Sequence, residues 1–163
     1  MRLFFLTCCF CFLLSSCDNQ PACSLGDPVA IFQPTMGKVM QHSFKLTTQN
    51  SQESVVFENG ISLELFQTGC EQIKQEFQFQ IKGDYQEMPP EFWIEASASQ
   101  FQYMSKVSES LMSFQLWGQS IMENAANIKL GERFALGPGF YIKIDKVSAK
   151  EQSILNIELS QGE

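Results

Sequence analysis

Histidine is nearly missing from this chain, and its basic residues never form a run. The 163 residues include one histidine, His42, and 11 Lys and Arg residues against 18 Asp and Glu. The formal net charge of −7 repels a phosphate backbone, so nucleic-acid binding is not expected. His42, Cys23 and Cys70 lie far apart in the sequence, which predicts no metal site. We interpret His42 as a solvated or locally hydrogen-bonded side chain, with a catalytic base as the alternative.

Common catalytic and phosphate-binding motifs are missing as well. The sequence has no G-x-S-x-G or S-x-x-K pattern and no G-x-x-x-x-G-K or G-x-G-x-x-G loop. This favours a protein that is not an enzyme and has no cofactor. A carboxylate-only enzyme is the alternative, with Glu58 and Glu64 or with Glu91 and Glu95. The outward face of a strand explains the first pair, and complementarity to a helix dipole explains the second.

The first 17 residues have the three-part layout of an export signal. Arg2 is followed by the apolar run 3–14, by two serines and by Cys17, after which the sequence turns polar. The run is shorter than the roughly 20 residues that span a bilayer. The segment Leu14-Ser15-Ser16-Cys17 resembles the lipobox of bacterial lipoproteins. An ordinary secretory signal with a chance cysteine is the alternative.

The lipobox resemblance implies a location and a division of the chain. In that family the Cys thiol is diacylated, commonly with palmitate, and the signal is cut before it. We therefore expect a signal peptide at 1–16, a lipidated tether at 17–27 and one domain at 28–163. Asp18 resembles an inner-membrane retention signal. The expected place is the bacterial envelope, with the inner membrane, facing the periplasm, favoured over the outer membrane.

Two cysteines remain for a disulfide once the signal and the lipid are accounted for. Cys23 and Cys70 are the only others outside the signal. Two thiols in an oxidising compartment commonly pair, which predicts a bridge between them. Two free thiols in a reducing compartment are the alternative.

Alternating apolar and polar residues predict strands on both sides of a central helical stretch. Residues 44–47 suggest one strand, and 55–58, 61–65 and 77–82 predict three more. Asn59-Gly60 supplies two positions that tolerate positive φ, as a type I′ hairpin turn requires. A second hairpin is predicted near the C-terminal end, at 140–147 and 154–159.

A long helix is predicted between the two groups of strands. Pro89-Pro90 opens a stretch without Gly or Pro that lasts until Gly118, and apolar residues recur there every three or four positions. This predicts one helix over about 90–116, with a second helix or helical turn at about 119–126. The expected fold is α+β: an antiparallel sheet of about five or six strands, in two groups, with the long helix packed on it.

Three aromatic residues are candidates for contact with a partner. Phe92 and Trp93 neighbour Ile94 at the start of the predicted helix, and Trp117 lies at its end. Trp is enriched in interface hot spots, although core packing is the simpler explanation. We expect a non-catalytic binding module that meets the membrane through its lipid and an envelope protein through its domain. An inhibitor or immunity-type protein against a cell-wall hydrolase and a scaffold of a membrane complex are the alternatives.

Overall fold

The computed structural model describes residues 26–69 and 72–162 and confirms the α+β class. These residues form one seven-stranded antiparallel sheet and two α-helices. The strands are β1 (Val39–Thr47), β2 (Asn50–Phe57), β3 (Ser62–Thr68), β4 (Lys74–Lys82), β5 (Arg133–Gly137), β6 (Phe140–Ser148) and β7 (Gln152–Gln161). The helices are α1 (Pro90–Met104) and α2 (Ser113–Glu123). The signal peptide, Cys17, Cys23 and Cys70 lie outside the described residues.

The sheet joins the two predicted groups of strands in the order β1-β2-β3-β4-β7-β6-β5. β4 and β7 pair along their whole length, with Phe77 opposite Ile157 at the centre. The expected five or six strands become seven because β5 is added at one edge. β5 has five residues and no fully buried side chain, so its alternation is too short to be visible in the sequence.

The first hairpin is confirmed, but its turn differs from the predicted one. Gly60 has φ +80°, and no residue other than glycine has a positive φ in the described chain. Asn59 therefore does not take the conformation of a type I′ turn. Its side-chain oxygen instead accepts a hydrogen bond from the Ile61 N–H, and the Gly60 N–H donates to the Phe57 carbonyl. The turn is a type I geometry followed by a left-handed glycine.

The prediction of one helix over 90–116 is wrong, because the chain turns back after Met104. Ser108 is extended, with φ −156° and ψ 152°, and its hydroxyl accepts a hydrogen bond from the Ser110 N–H. This caps a short 3₁₀ helix at Glu109–Leu111, after which α2 begins. Serine hydroxyls compete with the helical backbone in this way. The predicted apolar stripe is nevertheless buried along both helices, since both face one core.

The helices cover one face of the sheet in an antiparallel hairpin. α1 lies over β6 and β7, and Phe101 and Phe114 meet the β4 residue Phe77 edge-on at 5.3 and 5.8 Å. Gly118 allows the two helices to approach, because a Cβ there would lie 2.9 Å from the Ala98 carbonyl oxygen. Neither helix is both long and apolar enough to cross a membrane.

The other part of the same face is covered by an irregular segment, residues 28–36, which we call the strap. It enters before β1 and crosses the core face of β2 and β3. Phe32 is fully buried and contacts the Phe57 ring edge-on at 5.5 Å. The strap thus takes the place of a third helix over the first half of the sheet.

Candidate functional site

Five polar side chains lie on the core face of the sheet beneath the strap. We call them the latch: His42 of β1, Ser51 and Glu53 of β2, Gln67 of β3 and Gln75 of β4. The strand register places Gln67 opposite both Ser51 and Gln75, so these three form a row across neighbouring strands. Core-facing positions are normally apolar, and here one end of the core face is polar.

Glu53 is the centre of the latch. Its carboxylate has no exposed surface. Oε1 accepts a hydrogen bond from the Phe32 N–H at 2.8 Å and lies 2.7 Å from His42 Nε2. Oε2 accepts one from the Ile31 N–H at 2.9 Å. An unpaired buried carboxylate costs several kcal/mol, so these partners offset its desolvation.

Gln67 provides the second attachment of the strap. Its Nε2 donates to the Val29 carbonyl at 2.8 Å and to Ser51 Oγ at 3.2 Å. Its Oε1 accepts from Gln75 Nε2 at 3.2 Å. The backbone of the strap is therefore hydrogen-bonded to the sheet at three residues within four positions. Apolar packing alone would not fix an irregular segment this closely, because it is not directional.

The fixed strap forms one wall of a cleft of about 440 Å³. The opposite wall comes from the 3₁₀ helix and α2, and Gln75 lies at its floor. The lining residues carry no charge; they are Val29, Ala30, Ile31, Gln33, Met36, Gln75, Ser110, Leu111, Ser113, Phe114 and Trp117. The volume lies within the range typical of small-molecule sites.

The cleft presents polar groups that the described part of the protein leaves free. The side chains of Gln33 and Ser113 are exposed and make no hydrogen bond to any residue in 26–69 or 72–162. Gln75 donates to Gln67 and retains its amide oxygen as an acceptor. These groups line the same cleft as the partly buried indole of Trp117, which contacts Phe140 with ring centroids 5.7 Å apart.

The three aromatic residues proposed as partner contacts have different environments. Trp117 lines the cleft. Trp93 is fully buried, so it has no surface to offer a partner in this conformation. Phe92 is partly buried and stacks on Tyr85 with ring centroids 5.5 Å apart. Of the three, Trp117 is the one placed at a candidate binding site.

The structure gives different surroundings to His42 and to the first pair of carboxylates singled out from the sequence. His42 is bonded locally, to Glu53. Glu58 lies in the hairpin turn, whereas Glu64 lies opposite Ser54 and accepts hydrogen bonds from Ser54 and Gln52. The structure therefore does not place the first carboxylate pair together. Within the described chain, no three His, Cys, Asp or Glu side chains group closely enough to hold a metal ion.

The opposite face of the sheet is open and rich in amide and hydroxyl side chains, but many of them bond to one another. Asn156 and Gln78 both donate to Glu76, and Gln152 donates to Gln80 across two strands. A shallow hollow of about 350 Å³ lies on this face. Of the seven polar residues that line it, His42, Ser54, Glu64 and Gln80 already hydrogen-bond to the protein, and Glu64 gives the hollow a charge that the cleft lacks.

A larger hollow, of about 490 Å³, lies where the chain passes from α2 towards β5. Charged side chains border it, among them Glu91, Lys129 and Glu132. Lys129 pairs loosely with Glu132 at 3.8 Å, and both are mostly exposed. Mobile exposed charges define a ligand site poorly, since they are screened by solvent. The cleft between the strap and α2 is therefore the better candidate for a ligand site.

No protein-family model, no curated protein and no solved structure matches this chain. The cleft and the latch are therefore interpreted from the chain's own residues.

The latch was not predicted from the sequence, although the patterns of β2 and β3 contain a sign of it. In β2 the in-phase positions read Ser51, Glu53, Val55 and Phe57, so the apolar alternation stops at one end. β3 stops in the same way at Gln67. A polar residue at a strand position that should face the core indicates one of two things: the strand ends there, or the residue has a buried polar partner. Only the folded structure distinguishes these two cases.

Proposed function

We propose that this protein is a lipid-anchored lipoprotein of the bacterial envelope whose domain is a non-catalytic binding module, with the cleft between strap and α2 as its binding site. The observation that supports this most strongly is the latch. A fully buried carboxylate and a buried amide hold an irregular segment so that it forms one wall of an uncharged cleft.

Burying the polar side chains of the latch costs desolvation free energy, which argues that they have a role beyond packing. Apolar residues of similar volume often stabilise a core as well as buried charged groups do, or better. Retaining Glu53 and Gln67 instead fixes the position of Val29 and Ile31, which line the cleft. Sites that break the local rules of a fold are often the functional ones.

The proposed anchor is compatible with a cleft near the membrane. Cys17 precedes Val29 by 12 residues, and an extended chain of that length reaches at most about 40 Å. Two or three acyl chains at Cys17 would give stable attachment, whereas one would be marginal. The envelope location, with the inner membrane favoured by Asp18, belongs to this proposal.

The anchor is tested by mass spectrometry of the mature N-terminus. We expect a product that begins at Cys17 and carries acyl chains, and a Cys17→Ala protein that carries none and leaves the membrane fraction. A wild-type N-terminus that starts elsewhere or carries no acyl group would refute the lipoprotein assignment.

The binding site is tested through Trp117. Purified full-length protein is titrated with three fractions of the envelope: digested cell wall, extracted lipid and solubilised protein. We expect at least one fraction to change the tryptophan emission saturably, and the change to be absent in Trp117→Phe, which retains Trp93. If no fraction gives a Trp117-dependent change, the cleft is not the binding site.

A second function is favoured by a separate observation on α2. Met112 and Leu116 lie one helical turn apart and are 60% and 66% exposed. Together they form an apolar stripe beside a groove of about 390 Å³ that also contains Lys106 and Gln115. Exposed apolar stripes are typical of protein-binding surfaces. An inhibitor of a cell-wall hydrolase or a scaffold in a membrane complex would use such a surface.

Pull-down from membranes with wild-type and Leu116→Gln protein separates these two roles. One basic secreted hydrolase, lost with Leu116→Gln, supports the inhibitor, and a multi-subunit complex lost in the same way supports the scaffold. Glu109→Gln, on the neighbouring 3₁₀ helix, is the matched control and should retain the partner. Partners that both variants retain would refute the α2 stripe as a docking surface.

A further inference from the structure

The chemistry of the cleft restricts its ligand to an uncharged molecule. The protein has a net charge of −7, yet none of the described residues that line the cleft is charged. Glu53 lies in the latch, where it is fully buried and fully hydrogen-bonded, so it presents no charge to a ligand. A cationic ligand would find no carboxylate in the cleft, and an anionic one would be repelled by the net negative charge of the protein.

The lining combines an aromatic surface with free neutral hydrogen-bonding groups. The partly buried indole of Trp117 lines the cleft and contacts Phe140, with the two rings tilted by 56°. Gln33 and Ser113 offer an amide and a hydroxyl that have no partner in the described chain, and Gln75 offers its amide oxygen. A few placed polar groups on an apolar wall are the usual composition of a small-ligand site, with the polar groups fixing orientation.

Sugar rings match this combination better than a peptide does. The C–H face of a pyranose packs on an indole, while its hydroxyl groups exchange hydrogen bonds with amides and serines. An extended peptide would instead seek a free strand edge. The sheet edges are β1 and β5, and the cleft lies between the strap and α2.

An N-acetyl group fits the remaining features of the lining. It carries an amide N–H, a carbonyl and a methyl group within a few ångströms of one another. The lining of the cleft likewise combines the Gln75 amide with apolar side chains, among them Met36 and Leu111. An acetylated amino group is also uncharged, whereas a free one is a cation at neutral pH.

We infer that the cleft binds a neutral N-acetylated saccharide, a chemistry that envelope glycans supply. This inference rests on the proposed function and narrows it to one class of ligand. Trp117 is the stacking surface, and Gln33, Gln75 and Ser113 are the hydrogen-bonding groups. The latch acts indirectly, by holding the wall that carries Gln33.

The probe is triacetylchitotriose, titrated into purified full-length protein up to about 10 mM while tryptophan emission is recorded. We expect a saturable change that Trp117→Phe abolishes, because Trp93 is buried. Chitotriose, which has the same rings and three free amines, should bind at least tenfold more weakly.

By calorimetry, Gln33→Ala should weaken binding about fivefold through the loss of one hydrogen bond. Gln86→Ala, exposed in the loop before α1 and outside the cleft, should leave binding unchanged.

Four results would overturn the inference: no saturable change, a change retained in Trp117→Phe, binding of chitotriose as tight as that of its acetylated form, or equal binding by Gln33→Ala and wild type. Failure here is distinguishable from failure of the proposed function. If triacetylchitotriose gives no signal but the lipid or protein fraction of the envelope shifts Trp117, the saccharide is wrong and the binding site stands. If no fraction shifts Trp117, both are wrong.

Discussion

The carboxylate of Glu53 accepts a hydrogen bond from the backbone N–H of Phe32, 21 residues earlier in the chain, at 2.8 Å. Both residues are fully buried. This bond connects the core face of the sheet to the strap, and through the strap to the cleft. It explains how a segment without helix or strand structure can form a defined wall.

Removing the Glu53 carboxylate should destabilise the protein strongly. Glu53→Ala leaves the N–H groups of Ile31 and Phe32 and the His42 ring without their acceptor, and we expect a loss of about 3–5 kcal/mol in the free energy of unfolding. Urea denaturation measures it. Glu64→Ala, on the open face of the same sheet, is the control and should cost about 1 kcal/mol or less. Equal losses of unfolding free energy in the two variants would show that the latch contributes no more to stability than an ordinary surface hydrogen bond.

The packing of the helical hairpin depends on Gly118. An added Cβ would lie 2.9 Å from the Ala98 carbonyl oxygen and 3.0 Å from Gln102 Cγ. Gly118→Ala should therefore lower the free energy of unfolding by about 1–3 kcal/mol, although alanine is the better helix former. Gly37→Ala is the control, because a Cβ added at Gly37 would have no neighbouring atom within 4 Å. A Gly118→Ala protein as stable as wild type would contradict the close approach of α1 and α2.

Sequence patterns predicted the parts of this fold that depend on local periodicity. The strands around Asn59-Gly60 and the C-terminal hairpin follow from alternation, since each buries one face. The turn after Met104 could not be read in the same way. Ser105 and Ser108 are only mildly unfavourable in a helix, so the break is decided by how α2 packs on α1.

The candidate site was predictable only in part. Trp117 was singled out for its residue type, and it lines the cleft. Gln33 and Gln75 were not, because their role depends on which strands and segments meet in three dimensions. The same holds for Glu53, whose burial requires the strap to be in place. Residues whose role depends on contacts with distant parts of the chain produce little recognisable pattern in the sequence around them.

Alkaline pH should destabilise the protein through Tyr103. Burial, together with the negative charge of Glu58, raises the pKa of the Tyr103 hydroxyl above its usual value of about 10. The folded state then holds this proton more tightly than the unfolded state does. Stability from this group is complete below about pH 10 and falls as the pH rises through the folded-state pKa.

Urea denaturation between about pH 8 and 11 measures this effect, with Tyr103→Phe as the comparison. The hydroxyl is buried and lies near the Asn59 backbone without a well-formed hydrogen bond, so the variant should be about as stable as wild type near pH 8. It should lose less stability than wild type above pH 10. Parallel curves for the two proteins would exclude a contribution from Tyr103.

The disulfide between Cys23 and Cys70 remains a prediction, since both residues lie outside the described chain. Thiol titration of the unfolded, unreduced protein should find neither cysteine free. The closed loop would contain about 47 residues, for which chain entropy gives about 4 kcal/mol of stabilisation. Reduction, or Cys70→Ser, should therefore lower the free energy of unfolding by a similar amount. Two free thiols in protein isolated from the envelope would refute the bridge.

The central claim is that the cleft at Trp117 binds a component of the envelope. The chain has two tryptophans, so 5-fluorotryptophan labelling gives two ¹⁹F resonances, one from buried Trp93 and one from Trp117 in the cleft. Trp117→Phe assigns them. On addition of a detergent extract of envelopes, the account predicts that the Trp117 resonance shifts while that of Trp93 stays in place. An unchanged Trp117 resonance at saturating extract would contradict it.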